Sequence, residues 1–146
     1  MGKTILYRIF GAGKIPKDAL PQILREGIVL RDEGIRGSVT FRNYRAPGRY
    51  HGWRRTWFSG SLVITRKHFL AFSYAKPVIG LAWDDHRIAQ LRCDLVSDEV
   101  LRVRFDAALF EERRSGRVEV RFSTPKSRAF LTQITRRTPD QSGTAG

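Results

Sequence analysis

The 146-residue chain contains a single cysteine, Cys93, which excludes an internal disulfide and a cysteine-built zinc site. Long hydrophobic runs are missing as well, and none approaches the ~20 residues that span a bilayer. The start, MGKTILYRIFGAGK, offers only the short apolar run TILY, too little for a signal peptide. Leu6 stands where a myristoylation signal needs Ser or Thr. These absences point to a cytoplasmic protein. The most informative lack is of negative charge: from Gly34 to Trp83, fifty residues, there are nine basic side chains and no Asp or Glu.

What is present is positive charge and arginine. The formal net charge is +13, from 27 basic and 14 acidic residues, and 21 of the basic residues are arginine. Such an excess suits an anionic partner: a membrane surface, a nucleic acid or an acidic protein. Its distribution carries more than its total. From Asp84 to Thr124, eight arginines face nine acids and nearly cancel, so the excess is concentrated in the acid-free block. Within that block, RNYRAPGRYHGWRRTWF (42–58) interleaves five arginines with five aromatic residues.

Hydropathy patterning divides the chain. PKDALPQILRE (16–26) places Ala19, Leu20, Ile23 and Leu24 near one helical face, with Gly27 as a stop. From there to Ser123 the period is two. Ile35, Val39 and Phe41 alternate with Arg36, Thr40 and Arg42; APG (46–48) marks a turn; and strands follow at 53–65, 68–74, 78–83 and 89–95. An irregularity is expected at Ser59-Gly60-Ser61. LRVRF (101–105) and RVEVRF (117–122) form the clearest hairpin. Thr124-Pro125 resembles an N-cap and first-turn proline, and KSRAFLTQITRR continues as a helix with Phe130, Leu131 and Ile134 on its apolar stripe. TPDQSGTAG (138–146) has nothing to bury and is expected to be disordered. About seven strands and one terminal helix make a small barrel or sandwich with a helical cap.

GSLVITRKHFLAFSY (60–74) resembles the pleckstrin-homology superfamily, in particular its GRAM and bacterial PH-like branches. WRRTWF (53–58), WDDHRIAQL around Ile88, the LRVRF and RVEVRF pair, and the helix from Lys126 resemble further pieces of that family in the same order. The resemblance covers residues 34–137. It implies a mainly β fold: a PH-like seven-stranded antiparallel barrel or sandwich closed by one C-terminal α-helix, with residues 1–33 as an extension carrying a short helix. It also implies that the loop after the first long strand is the place where some members bind lipid headgroups. The family's final helix usually carries a Trp, and this one has none. Arg54 and Arg55 are adjacent, so in a strand they face opposite sides.

The candidate ligand-binding residues are Arg45, Arg49, Arg54, Arg55 and Lys67, which would offer guanidinium forks and an ammonium to phosphate oxygens. Tyr50 and Trp53 suit an interface, whereas Trp57 and Phe58 are expected to pack in the core. The expected function is a non-enzymatic binding module for an anionic membrane surface or phosphate-bearing ligand, placing the protein in the cytoplasm or peripherally at the inner membrane surface. A protein-interaction scaffold is the alternative, and nucleic-acid binding ranks behind both because no RNP-like, KH or helix-turn-helix pattern appears. No cofactor, metal site or catalytic residue is expected. Asp84-Asp85-His86 reads as a turn, GAGK (11–14) fails the phosphate-loop pattern at Ile15 and Arg8, and Cys93 reads as buried and inert.

Overall fold

A computed structural model describes residues 13–138. A short helix, α1 (Leu20–Glu26), ends at Gly27, whose φ of 89° lies in the left-handed region. Seven antiparallel strands follow: β1 (Ile28–Ala46), β2 (Arg49–Thr65), β3 (His68–Ser73), β4 (Lys76–Ala82), β5 (Arg92–Ser97), β6 (Val100–Asp106) and β7 (Ser115–Ser123). Helix α2 (Ser127–Arg137) comes last. The sheet order is β4-β3-β2-β1-β7-β6-β5.

Alternation builds the core as expected. The register sets Leu101 opposite Phe122 and Val103 opposite Val120, so the β6–β7 hairpin shows one apolar face. These residues share a cluster with Ile35 of β1, Leu62 and Ile64 of β2, and Leu81 of β4. Strands from both ends of the order therefore meet in one interior, and the sheet curls around it. Phe130 and Ile134 of α2, both fully buried, complete that interior.

Four expectations need correction. The sheet is curled but not closed by hydrogen bonds, because β4 and β5 are its two ends. A 3-10 helix, His86–Gln90, connects them and buries Ile88, so the apolar alternation read as a strand from Ala89 starts only at Arg92. The irregularity expected at Ser59-Gly60-Ser61 falls across the pairing on β1, between Glu33 and Ile35, where Gly34 has φ 68°. Helix α2 begins at Ser127 rather than after Thr124. Thr124 donates to Asp32 Oδ2 at 2.6 Å and accepts from the Lys126 amide at 3.1 Å, which ties the approach to the helix to β1.

The segment before β1 lies on the outside of the sheet. Ile15 and Ile23 pack with Val63 in a second small cluster, on the face of β2 opposite the main core. Hydrogen bonds hold it there: Thr65 Oγ1 donates to Glu26 Oε1 at 2.5 Å, and His68 Nδ1 lies 2.9 Å from the same oxygen. Thr138, the first residue of the expected disordered tail, is buried and donates to the Ile134 carbonyl at 2.8 Å. The remainder of that tail and the start of the chain lie outside the described residues.

Candidate anion-binding surface

Strands β1 and β2 form one long hairpin, paired from Ile28–Thr65 to Ala46–Arg49. Pro47 and Gly48 make the connection, and Gly48 takes φ 73°, a conformation that costs glycine little. Arg45 and Arg49 flank this tip. With Tyr50 they line a shallow hollow of about 540 Å³ that contains no acidic side chain, and the Arg45 guanidinium lies 5.2 Å from the Tyr50 ring centre. Asn43, at φ 51°, sits where the register between β1 and β7 shifts. This irregularity brings Tyr44 into the core, 4.8 Å from Phe41, beneath the tip.

Farther along β2 the two adjacent arginines separate. Arg54 is exposed and stands 3.5 Å from His51 Nε2. Arg55 lies on the outer face between Trp53 and Trp57, 5.3 Å and 6.0 Å from their ring centres, and donates through Nε to Thr40 Oγ1 at 2.8 Å. Arg36 of β1 closes the row 4.4 Å from Trp57. The result is a ladder, Arg36–Trp57–Arg55–Trp53, in which guanidinium groups and indoles alternate. Trp53 and Trp57 are 59% and 53% exposed, whereas Phe58 is buried. Trp57 thus departs from its expected core position. Trp57 and Phe58 are neighbours in a strand, only one of them can face the interior, and Phe58 takes that place against Phe122 at 5.9 Å.

Lys67 is not part of this group. It lies in the β2–β3 turn, at the opposite end of the 17-residue β2 from Arg49.

The two halves of the sheet treat their arginines differently. Among the described residues, every arginine with an acidic partner lies at Arg87 or later: Arg87 with Asp85, Arg102 and Arg104 with Asp94, Arg114 with Glu111, Arg121 with Glu119, and Arg128 with Asp98. On the β1–β2 hairpin, Arg36, Arg42, Arg45, Arg49, Arg54 and Arg55 have none. The acid-free block of the sequence has become an arm of unneutralised charge.

The remaining polar clusters have structural roles. Asp85 accepts from the Arg87 amide at 2.9 Å and caps the 3-10 helix; the Arg87 side chain beside it pulls its carboxyl down to about 2. Burial pushes the Cys93 thiol, on the inward side of β5, up to about 12, which leaves no thiolate at neutral pH. Among the described residues, no group of three or more His, Cys, Asp or Glu side chains could hold a metal ion. No helix among them is long and apolar enough to cross a membrane. No protein-family model, curated protein or solved structure matches the chain.

Proposed function

We propose that the chain is a non-enzymatic binding module of PH-like type that engages an anionic membrane surface through its β1–β2 hairpin. One observation carries this reading: the six arginines of β1 and β2 from Arg36 to Arg55 lack acidic partners, while exposed Tyr50, Trp53 and Trp57 stand among them. Arginine favours anionic headgroups, and amphipathic aromatics favour the interface beside them. The strand order and the helix packed into the open interior are compatible with the PH-like resemblance. Each basic residue near an anionic surface contributes about 1 kcal/mol, so Arg45, Arg49, Arg54 and Arg55 supply on the order of 4 kcal/mol.

Sedimentation with vesicles tests the proposal. The protein should pellet with vesicles rich in phosphatidylserine and stay in solution with neutral ones at the same ionic strength. Arg45→Ala with Arg49→Ala should lower the anionic partition coefficient about 30-fold. Equal partitioning to both vesicle types would remove the membrane reading.

A protein-interaction scaffold is supported by the free outer edges of β4 and β5, where an extended peptide could add a strand. Single-stranded nucleic acid is less well served, because guanidinium groups already stand over the indole rings on which bases would stack.

A further inference from the structure

Three pairs of arginines face each other directly across neighbouring strands on the outer face of the sheet. Arg42 of β1 is opposite Arg117 of β7, Arg121 of β7 is opposite Arg102 of β6, and Arg104 of β6 is opposite Arg92 of β5. Like charges placed directly opposite destabilise a sheet. Two acids relieve part of this strain. Asp94 holds Arg102 at 2.6 Å and reaches Arg104 at 3.7 Å; Glu119 holds Arg121 at 2.7 Å and lies 3.9 Å from Arg102.

Arg42, Arg92 and Arg117 receive no such partner. Asp106 is opposite Arg117 in register, yet its carboxylate accepts from the Ala108 amide at 2.8 Å and makes no ion pair with the arginine. Arg92 donates only to backbone carbonyls, that of Ala89 at 2.8 Å being the shorter contact. All three line one concave hollow of about 750 Å³ together with Arg102, Arg104 and Arg121, and the carboxylates of Asp106 and Glu119 are also on its wall, so arginines outnumber acids there six to two. That volume is within the usual range for small-ligand sites.

We propose that this hollow binds a soluble anion carrying three or more linked phosphates. The free cations sit on β1, β7 and β5, and β1 and β5 are three strand spacings apart, about 14 Å at ~4.8 Å per step. A lone phosphate cannot reach both ends of such a row. A linear triphosphate can, and each guanidinium fork matches a pair of its oxygens. Its charge would replace the Arg42–Arg117 and Arg92–Arg104 repulsions by attraction. A flat headgroup layer meets the exposed hairpin instead of this recess, so the site is distinct from the membrane surface proposed above.

Isothermal titration with sodium tripolyphosphate, against sodium sulfate at equal ionic strength, tests it on the full chain. Tripolyphosphate should bind and sulfate should not. Arg42→Ala with Arg117→Ala should weaken binding about 100-fold, near tenfold for each charge-assisted contact. Arg45→Ala with Arg49→Ala should leave it within twofold. The groove variant should also melt no lower than the parent without ligand, since a like-charge pair has been removed, and should lose the rise in melting temperature that tripolyphosphate gives. Arg92→Ala with Arg117→Ala, which leaves the hairpin untouched, should likewise lose tripolyphosphate binding while anionic-vesicle binding persists, so the two proposals fail separately. Equal response to sulfate, or equal loss in the tip variant, would overturn the site. So would tight binding of a short single-stranded DNA that tripolyphosphate fails to displace.

Discussion

Gly60 lies where three strands meet, opposite Ile35 of β1 and Ser73 of β3. A Cβ placed there would stand 2.1 Å from the Phe72 carbonyl oxygen and 2.8 Å from the Phe58 ring. The first of these neighbours is backbone in the middle of a sheet and cannot swing away. Gly60→Ala should therefore cost ~2–3 kcal/mol in urea unfolding, at the upper end of overpacking. Gly80→Ala provides the contrast. Its Cβ would meet only Leu70 Cδ2, at 3.8 Å, and its effect should stay within ~0.5 kcal/mol, as for an ordinary surface position. Equal losses at the two sites would show that strand propensity, not contact, controls both. The sequence suggests an irregularity at Ser59-Gly60-Ser61, but the shift lies opposite, on β1, and the need for glycine at 60 comes from the Phe72 carbonyl, which approaches only after β2 and β3 pair. The Trp57-Phe58 choice is hidden for a related reason. Alternation says that one ring must face out, and only the space beside Phe122 decides which.

At the scale of elements, α1 shows how an extension outside the sheet is attached. Its apolar contribution is small, Ile23 with Ile15 against Val63, and hydrogen bonds add to it: the Glu26 contacts, the Ile15 amide donating to Glu33 Oε2 at 3.0 Å and the Arg66 amide donating to the Gly27 carbonyl at 3.1 Å. Burial works against the Glu26 charge. Hydrogen bonds from Thr65, His68 and Gln22 outweigh that cost and hold its carboxyl below the ordinary value of 4.5. A depressed folded value stabilises the attachment above the unfolded pKa, and the contribution is lost as pH falls through the folded one. Amide exchange at Ile23 and Gly27 should be slow at pH 7 and should accelerate, relative to the strand amides of the main core, once the pH falls below the ordinary carboxyl value. Glu26→Gln should weaken the attachment at neutral pH by ~1–2 kcal/mol and flatten this acid response. An unchanged acid response in that variant would place the anchor elsewhere. The helix itself is legible from Ala19, Leu20 and Ile23 spacing and from Gly27, and the strands from their period of two. The 3-10 helix at His86–Gln90 is not, because its buried Ile88 and the buried Leu91 that follows it also fit the apolar sites of an irregular strand.

Across the whole molecule, the sequence shows how much charge there is but not which charges meet. The acid-free block is plain from Gly34 to Trp83, and its outcome on β1 and β2 follows directly. The facing pair Arg42–Arg117 depends on register between segments far apart in the chain, which no local pattern encodes, and Arg92–Arg104 depends on a β5–β6 register that shifts between Leu95 and Ser97. A fold with net charge +13 and six unneutralised arginines between Arg36 and Arg55 on one hairpin is compressed against its own field. Raising NaCl from about 0.01 to 0.1 M shortens the screening length from about 30 to 10 Å, enough to weaken repulsion across the sheet. The contacting pairs at Asp94 and Glu119 are partly buried and respond less. The melting temperature should therefore rise by several degrees, about what ~1 kcal/mol produces in a domain of this size. Replacing Arg42, Arg45 and Arg49 together by Gln should remove much of that rise by lowering the field at its source. A melting temperature that falls with salt would mean that the ion pairs of β5, β6 and β7 outweigh the hairpin, and that the positive arm carries no energetic tension for an anion to release.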